Sequence, residues 1–164
     1  MQIKIRKACG SDADALIDLL AQVGRTHSEG RPDLFCSPLS KHTKETVKKL
    51  INDNAGGVIV AEADGKVCGE LIYKIFDRAC DGFWTARKWL YIDDLCVDEN
   101  ARGNGIASAL IAEAENIARG NGCVSVELNC MAFNTAAAKV YEKAGFTPQK
   151  TEYEKILTPC DNDK

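Results

Sequence analysis

The stretch YIDDLCVDENARGNGIASAL, residues 91–110, decides the fold. Its first part is rich in aromatic, β-branched and small apolar residues, which is typical of a buried strand. From Ala107 to Ala118, apolar residues recur every three or four positions, which predicts an amphipathic helix. We therefore expect a strand, a turn at residues 102–107 and a helix in direct succession.

The turn at residues 102–107, RGNGIA, has the features of an anion site. Glycine lets the backbone approach a ligand closely, and the first turn of a helix offers unpaired N–H groups and the positive end of its dipole. These groups suit a phosphate or pyrophosphate, to which Arg102 would add charge-assisted hydrogen bonds. The turn is not a Walker A loop, because no Lys-Ser/Thr follows its last glycine, and it lacks the G-x-G-x-x-G spacing of dinucleotide sites.

Size and composition indicate an ordinary globular protein. The 164 residues are expected to form one domain, residues 1–164, with 45% apolar and 27% charged residues. A net charge of -3 gives no basic patch that would suggest nucleic acid binding. No apolar run approaches the length of a membrane span, and the N-terminus lacks the features of a signal peptide, so we expect a cytoplasmic protein that does not bind membranes.

The eight cysteines, at positions 9, 36, 68, 80, 96, 123, 130 and 160, contain no C-x-x-C pair and no paired Cys/His spacing. Most have apolar neighbours, where a free cysteine behaves as a small hydrophobic residue. We expect reduced thiols packed in the core, and no metal.

The order of elements predicts a mixed α/β protein. A first helix is expected to end near Gly24, a second to be capped by Ser40, a third to reach about Arg119 and a fourth to start at Asn134 or Thr135. Asp64-Gly65 is a strong hairpin signal. The predicted strands are residues 3–5, 58–63, 66–76, 90–97, 124–128, a strand from residue 146, and 153–157.

Two segments resemble a known family. Leu95-x-Val97, a few polar residues and then R-x-x-G-x-A (Arg102 to Ala107) opening a helix resemble the coenzyme A signature of the GNAT (GCN5-related) N-acetyltransferases. Residues 134–146, NTAAAKVYEKAGF, are similar to the family pattern N-x-x-A-x-x-x-Y-x-x-x-G-F. The resemblance covers about residues 56–157, and the first fifty residues agree with it by element order alone.

The resemblance implies the GNAT acyl-CoA N-acyltransferase fold, an α/β architecture with a mixed central sheet of about seven strands flanked by about four helices. It implies acetyl-CoA as co-substrate and no metal. It also places a backbone N–H that polarises the thioester carbonyl at a β-bulge within residues 95–97. The coenzyme-binding residues implied by the resemblance are Leu95, Cys96, Val97, Arg102, Gly103, Asn104, Gly105, Ile106, Ala107, Ser108, Asn134 and Ala137.

Acetyl transfer from a thioester to an amine needs a neutral nucleophile and a proton for the departing thiolate. A lysine-like amine has a pKa of about 10.4, so a base must help to release it, while a phenol of pKa about 10 can protonate a thiolate of pKa about 8.5. The resemblance places Tyr141 at the general-acid position, although a purely structural core tyrosine stays open. Asn134 would cap its helix, bind the coenzyme, or do both.

The base is less well defined by the sequence. Tyr91 to Leu95, YIDDL, resembles a Tyr-Leu-Glu-Asp-Phe segment of diamine acetyltransferases, which assigns the substrate-facing acid to Asp93. In a regular strand Asp93 and Asp94 point to opposite faces. The alternative that Asp94, or both acids, are merely solvated residues at a strand edge stays open. Asp94, Glu29, Asp33 and Glu70 are further candidates for the acceptor site, and His27 and His42 are expected at the surface.

The leading hypothesis is an acetyl-CoA-dependent N-acetyltransferase in which a primary amine, from a small molecule or a peptide, attacks directly in a ternary complex. The alternatives are a peptide or N-terminal acetyltransferase, a non-catalytic acyl-CoA-binding regulator on the same fold, and a phosphate-binding module for another nucleotide. A homodimer stays open. The sequence does not identify the acceptor.

Overall fold

The computed structural model describes residues 2–36 and 40–157. No helix within these residues is both long enough and apolar enough to cross a membrane. The strands are β1 (Ile3–Lys7), β2 (Gly56–Ala63), β3 (Lys66–Arg78), β4 (Arg87–Val97) and β5 (Ser125–Leu128). The α-helices are α1 (Ala13–Gly30), α2 (Lys44–Ile51), α3 (Ile106–Gly120) and α4 (Thr135–Lys143).

The five strands form one mixed sheet in the order β1-β2-β3-β4-β5. The first four strands are antiparallel to their neighbours, whereas β5 runs parallel to β4. A parallel pair needs a long crossover, which α3 supplies between these two strands. The β2–β3 hairpin turns at Asp64 and Gly65, both with positive φ (51° and 76°), as Asp-Gly predicted.

Each face of the sheet is covered by different helices, because alternate residues of a strand point to opposite faces. Leu71 and Tyr73 of β3 pack in one core with residues of α3, among them Leu110. Ile72 points the other way and packs in a second core with α1 and α2, where Leu16 is fully buried. The predicted mixed α/β architecture is confirmed.

Two helix boundaries differ from the sequence prediction. Helix α1 continues through Gly24 and ends at Gly30, where Arg31 donates its N–H to the carbonyl of His27. A single glycine inside a helix costs only about 1 kcal/mol, whereas Pro32 disfavours helical geometry at the residue before it, so the later stop prevails. Helix α2 is capped by Thr43 rather than Ser40.

The expected strand count of about seven is too high for the described residues, whose sheet has five strands. The two strands predicted after Gly145 are wrong, because residues 146–157 form no strand. Phe146 packs against the core of α3, but the apolar side chains further on do not, and Tyr153 and Leu157 are 89% and 85% exposed. Charged neighbours such as Lys150 and Glu154 leave this segment without a continuous apolar face.

Packing of the cysteines in the core is confirmed only for Cys68 and Cys96. Cys123 is half-buried, and the thiols of Cys9, Cys36, Cys80 and Cys130 belong to exposed residues, so the prediction is wrong for these four. The exposed cysteines lie outside the regular helices and strands, where no sheet face covers them. Cys160 lies outside the described residues.

The packing of α3 against the sheet should contribute strongly to the free energy of unfolding. Leu110 is fully buried in that core, so Leu110→Ala should lower the free energy of unfolding by about 2–5 kcal/mol. The matched control Val124→Ala removes methyl groups from a side chain that is 72% exposed, and it should change stability by less than about 0.5 kcal/mol. Chemical denaturation of both variants measures the difference, and equal losses would contradict the core assignment.

Candidate active site

A gap opens between β4 and β5. The two strands pair from Trp89–Ser125 to Ile92–Leu128, while β4 continues to Val97. Beyond Ile92, the edge of β4 that faced β5 has no strand beside it among the residues described. Such an edge offers N–H and C=O groups to an extended ligand. We call this opening, bordered by residues 93–97 and by the loop at 129–133, the β4–β5 gap.

The predicted phosphate-binding turn lies directly after β4. Gly103 and Gly105 both have positive φ, 80° and 77°, and a Cβ added to either would meet no atom within 4 Å. Gly105 is the N-cap of α3, and the first intrahelical bond runs from Ala109 N–H to its carbonyl at 3.0 Å. The N–H groups of residues 106–108 therefore have no intrahelical acceptor at the positive end of the helix dipole.

The polar side chains of the turn serve different purposes. Asn104 donates to the carbonyls of Ala101 and Arg102 at 3.0 and 3.3 Å, so it shapes the turn. Arg102 is exposed, and its Nε donates to the carbonyl of Val97 at 3.3 Å, which keeps the guanidinium beside the end of β4. Asn104 is thus explained by local structure, and Arg102 is placed where an anion would meet it.

The second predicted coenzyme segment lies at the start of α4. Asn134 caps this helix, and its Oδ1 accepts the N–H of Ala137 at 3.1 Å. The capping role of Asn134 is confirmed, whereas a role of Asn134 or Ala137 in binding coenzyme stays a prediction.

The bulge of β4 lies at Asp93 and not within residues 95–97, so that prediction is wrong. Ile92 pairs with Tyr73 and Asp94 pairs with Ile72, which leaves Asp93 as the extra residue. A bulge sets two residues of one strand opposite one residue of its partner. Every later residue of the bulged strand then points to the face opposite to the one that regular alternation would give it. Asp94 consequently points to the same face as Ile72, and Asp93 and Asp94 do not diverge as they would in a regular strand.

Both aspartates contact Lys41, in the segment before α2. The Nζ of Lys41 lies 3.0 Å from Oδ2 of Asp93 and 2.9 Å from Oδ2 of Asp94. Asp94 is buried, while the side chain of Asp93 is 36% exposed. Burial acts to lower the pKa of Lys41, but the charges and hydrogen bonds of Asp94 and Asp93 outweigh it, so the pKa is raised and the ammonium is stabilised.

His42 joins this group, contrary to the expected surface position. It is half-buried, and its Nε2 is buried without a hydrogen-bond partner among the described residues. Burial, assisted by the charge of Lys41, lowers the pKa of His42. One ligand atom from each of His42, Asp93 and Asp94 lies within 4.8 Å of the others, but the Lys41 ammonium already engages both carboxylates. His27 is also half-buried, with its ring stacked on Phe35 at 4.9 Å.

Glu70 lies beneath the aspartates, fully buried in β3. It pairs across the sheet with Cys96, and neither carboxyl oxygen has a hydrogen-bond partner in the part of the chain that the structure describes. Burial raises the pKa of Glu70 well above its usual value, and the charge of Asp94 adds to the effect. The sequence signal for this residue is a carboxyl group inside the otherwise apolar run VCGELIY.

Tyr141 reaches the same place from α4. Its ring packs edge-to-face on Phe146 at 5.9 Å between centroids. Burial, together with the nearby Cys130 thiol and the Asp94 and Glu70 carboxyls, raises the pKa of Tyr141 to about 12. The structure therefore brings the predicted acid into electrostatic range of Asp94, Glu70 and Cys96, and its hydroxyl stays protonated at neutral pH.

Two of the predicted acceptor-site acids do not join this cluster. Asp33 makes a two-pronged ion pair with Arg31, at 2.8 and 2.6 Å, which lowers the pKa of Asp33. Glu29 is exposed in the last turn of α1. Neither makes a hydrogen bond or ion pair with Asp93 or Asp94.

Three aromatic side chains near the aspartates form a surface that no motif predicted. Phe76 of β3 stacks on Trp89 of β4 at 5.2 Å and meets the edge of Tyr91 at 6.3 Å. Phe76 remains 41% exposed, and Tyr91 lies two residues before Asp93. The alternation of Trp89 and Tyr91 in KWLYI was the available signal for a shared face.

The family model described as "Acetyltransferase (GNAT) family" matches residues 23–146. The chain belongs to this family. The resemblance stated from the two motifs is thereby confirmed, as are the GNAT fold and the N-acetyltransferase class that it implied. The particular likeness of residues 91–95 to diamine acetyltransferases stays a prediction.

Individual relatives support the assignment to GNAT. An acetyltransferase of Agrobacterium fabrum is 48% identical over 63 residues, which is 38% of this chain and 44% of that protein. An uncharacterized N-acetyltransferase of Methanocaldococcus jannaschii is 29% identical over 146 residues, 87% of this chain and 59% of that protein. The chain thus spans about half the length of these curated relatives.

Among solved structures, a tetramutant of the BH1408 protein from Bacillus halodurans superimposes with a TM-score of 0.90 at 26% identity. The match covers 94% of this GNAT chain and 99% of that protein.

The open space at Gly105 predicts that a side chain added there would exclude a ligand. Gly105→Val should abolish acetyl-CoA binding, because the new side chain would project where a phosphate approaches residues 106–108. The matched control is Gly65→Val in the β2–β3 turn, where φ is 76° and the surroundings are equally open. Both variants should lose roughly 1–2 kcal/mol of stability from the left-handed backbone. Calorimetry with acetyl-CoA separates them, and equal affinities would contradict the placement of the phosphates.

The buried carboxyl predicts a pH dependence of stability. A carboxyl group whose pKa is raised by folding binds more protons in the folded state, so its contribution makes the protein less stable as the pH rises above the unfolded value. Glu70→Gln removes this ionisation and should make the protein more stable than the wild type at pH 8, with the difference shrinking toward pH 4. The exposed control Glu142→Gln should follow the wild type. Thermal unfolding across this pH range tests it, and parallel curves would contradict it.

Proposed function

We propose that the protein is an acetyl-CoA-dependent N-acetyltransferase in which a primary amine attacks the thioester directly in a ternary complex. The observation that carries the proposal is the free edge of β4 beyond Ile92, which has the paired carboxylates of Asp93 and Asp94 at one end. The glycine turn before α3 follows the other end of the same stretch of β4. We assign the acid to Tyr141, whose raised pKa is due in part to the charge of Asp94.

The coenzyme would lie along the free edge of β4. Its pyrophosphate would accept hydrogen bonds from the N–H groups of residues 106–108, with the helix dipole and Arg102 adding positive potential. The pantetheine arm would continue the sheet along residues 95–97, as an added strand does. Asn134 and Ala137 would border it from the start of α4.

The acceptor amine would lie where Asp93 and Asp94 now hold the ammonium of Lys41. Two carboxylates attract a cationic amine, and one of them must take its proton, directly or through water, before the nitrogen can attack. The sequence assigned this role to Asp93, whereas it is the charge of Asp94 that helps to raise the pKa of Tyr141. Either carboxylate fits the proton transfer, and Asp93→Asn and Asp94→Asn distinguish them.

The proton needed by the departing thiolate would come from Tyr141. The nitrogen forms a bond with the carbonyl carbon, the carbon–sulfur bond breaks, and the sulfur takes the phenolic proton. The nitrogen gives up its remaining extra proton, directly or through water, to the phenolate, which restores Tyr141. A thiol of pKa about 8.5 in water would be a poor match for a phenol of pKa about 12. Burial beside Glu70 and Asp94, however, raises the pKa of the Cys96 thiol to about 12 as well. A coenzyme thiolate in the same surroundings would therefore compete well for the proton of Tyr141.

This role predicts a selective loss of turnover. Tyr141→Phe keeps the ring but removes the proton donor, so kcat should fall by about 100–10,000-fold, while acetyl-CoA affinity and melting temperature stay nearly unchanged. Tyr73→Phe is the matched control, because Tyr73, like the half-buried Tyr141, has a raised pKa, but it is buried in the core with α3. Thiol release under conditions where chemistry limits the rate gives both values. A Tyr141→Phe turnover within a few-fold of the control would reject the acid role.

The acceptor class is tested by a panel of amines, comprising polyamines, aminoglycosides, amino acids and peptides with a free N-terminus. Coenzyme A release with one class and not the others would distinguish a small-molecule acetyltransferase from one that acts on peptides. A non-catalytic acyl-CoA-binding regulator would bind acetyl-CoA and release no coenzyme A with any amine.

A further inference from the structure

Lys41 is held in place by the chain around it. His42 donates its N–H to the Ser40 hydroxyl at 3.0 Å, just before α2. Thr43 and Thr46 then cap α2 reciprocally, each accepting the backbone N–H of the other. These bonds order the backbone from Ser40 into α2, and the side chain of Lys41 contacts Asp93 and Asp94 in β4.

The partners of Lys41 differ from those of its neighbours along the chain. Its Nζ contacts two carboxylates, and the side chain of one of them, Asp94, is only 7% exposed. Lys44, three residues later, pairs with Asp14 alone, and both of those side chains are mostly exposed. An exposed single pair contributes little to stability, whereas an ammonium on a buried carboxylate is bound specifically.

We propose that Lys41 is itself an acetyl acceptor, so that the protein transfers the acetyl group of acetyl-CoA to Nζ of its own Lys41. The inference rests on the proposed function, because the ammonium of Lys41 lies between the two carboxylates where that function places the ammonium of an external amine. A group bound in the acceptor position of an acetyltransferase meets the base that the external acceptor would meet.

The chemical step balances without a further reagent. The Lys41 ammonium gives one proton to the Asp94 or Asp93 carboxylate, and the free amine then attacks the thioester carbonyl. The carbon–nitrogen bond forms, the carbon–sulfur bond breaks, and Tyr141 gives its proton to the coenzyme A thiolate. The new amide nitrogen then loses its second proton, which passes directly or through water to the Tyr141 phenolate and restores the phenol. The lysine stem is flexible and half of the side chain is exposed, so Nζ can move from the carboxylates toward the β4–β5 gap that Asp94 borders.

Acetylation would change the site in a defined way. An acetyl-lysine is neutral, so the ion pairs with Asp93 and Asp94 are lost. The two carboxylates then become available to a cationic acceptor that otherwise competes with Lys41. We expect the acetylated protein to show a lower KM for an external amine than the unmodified protein, with kcat little changed.

The experiment is mass spectrometry of the full chain after incubation with acetyl-CoA and no added amine. We expect one acetyl group at Lys41, formed at a rate per molecule that is independent of protein concentration, as an intramolecular reaction requires. Tyr141→Phe should slow this labelling by at least about 100-fold, as expected for the loss of a general acid. Lys41→Arg should remove the label, whereas the matched variant Lys44→Arg should leave it unchanged, with melting temperatures confirming that both variants fold.

The other outcomes separate the inference from the proposed function. An unmodified Lys41 in a protein that releases coenzyme A with an external amine would overturn the inference alone. Equal labelling of Lys41 and Lys44, unaffected by Tyr141→Phe, would show chemical acetylation by free acetyl-CoA and would also overturn it. Absence of acetyl-CoA binding in calorimetry, with no turnover of any amine, would refute both.

Discussion

The site depends on one extra residue in β4. Without the bulge at Asp93, strand alternation would put Asp94 and Cys96 on the face of Ile92, in the core against α3. With it, both side chains point to the face of Glu70 and Ile72, and Cys96 donates its thiol to the carbonyl of Leu19 in α1. A single insertion in the register therefore collects the acids where the β4–β5 gap opens.

This arrangement concentrates charge in a place that disfavours it. Asp93 and Asp94 share the ammonium of Lys41, and Glu70 has neither an ion pair nor a hydrogen bond among the residues described. Unpaired buried carboxyl groups destabilise a folded protein, so packing elsewhere must compensate. The two apolar cores on either side of the sheet supply that compensation. Within the described part of the chain, the two aspartates also have only the Lys41 ammonium between them, which supports the proposal that a cationic amine is attracted to this site.

The sequence predicted the parts of the molecule that are determined locally. The Asp64-Gly65 turn, the glycine turn before α3 and the Asn134 cap each follow from a few adjacent residues, and all three are found. The full length of α1 was missed because Gly24 is a weak local signal that tertiary packing overrides. The bulge at Asp93 was misplaced because no residue in DDLCV marks it, and it exists only as a mismatch with β3.

The two halves of the proposed site also differ in whether adjacent residues or tertiary packing determine them. The proposed phosphate site consists of backbone N–H groups at a helix N-terminus, so one contiguous stretch, residues 102–108, both encodes and forms that half. The proposed acceptor site combines side chains from four separate segments, Lys41, Glu70, Asp93 with Asp94, and Tyr141, whose approach depends on strand register and helix packing. A short motif was therefore enough to predict the coenzyme. The acceptor half of the proposal needs the distances across the sheet, because no motif singles out Lys41, whose ammonium contacts both aspartates.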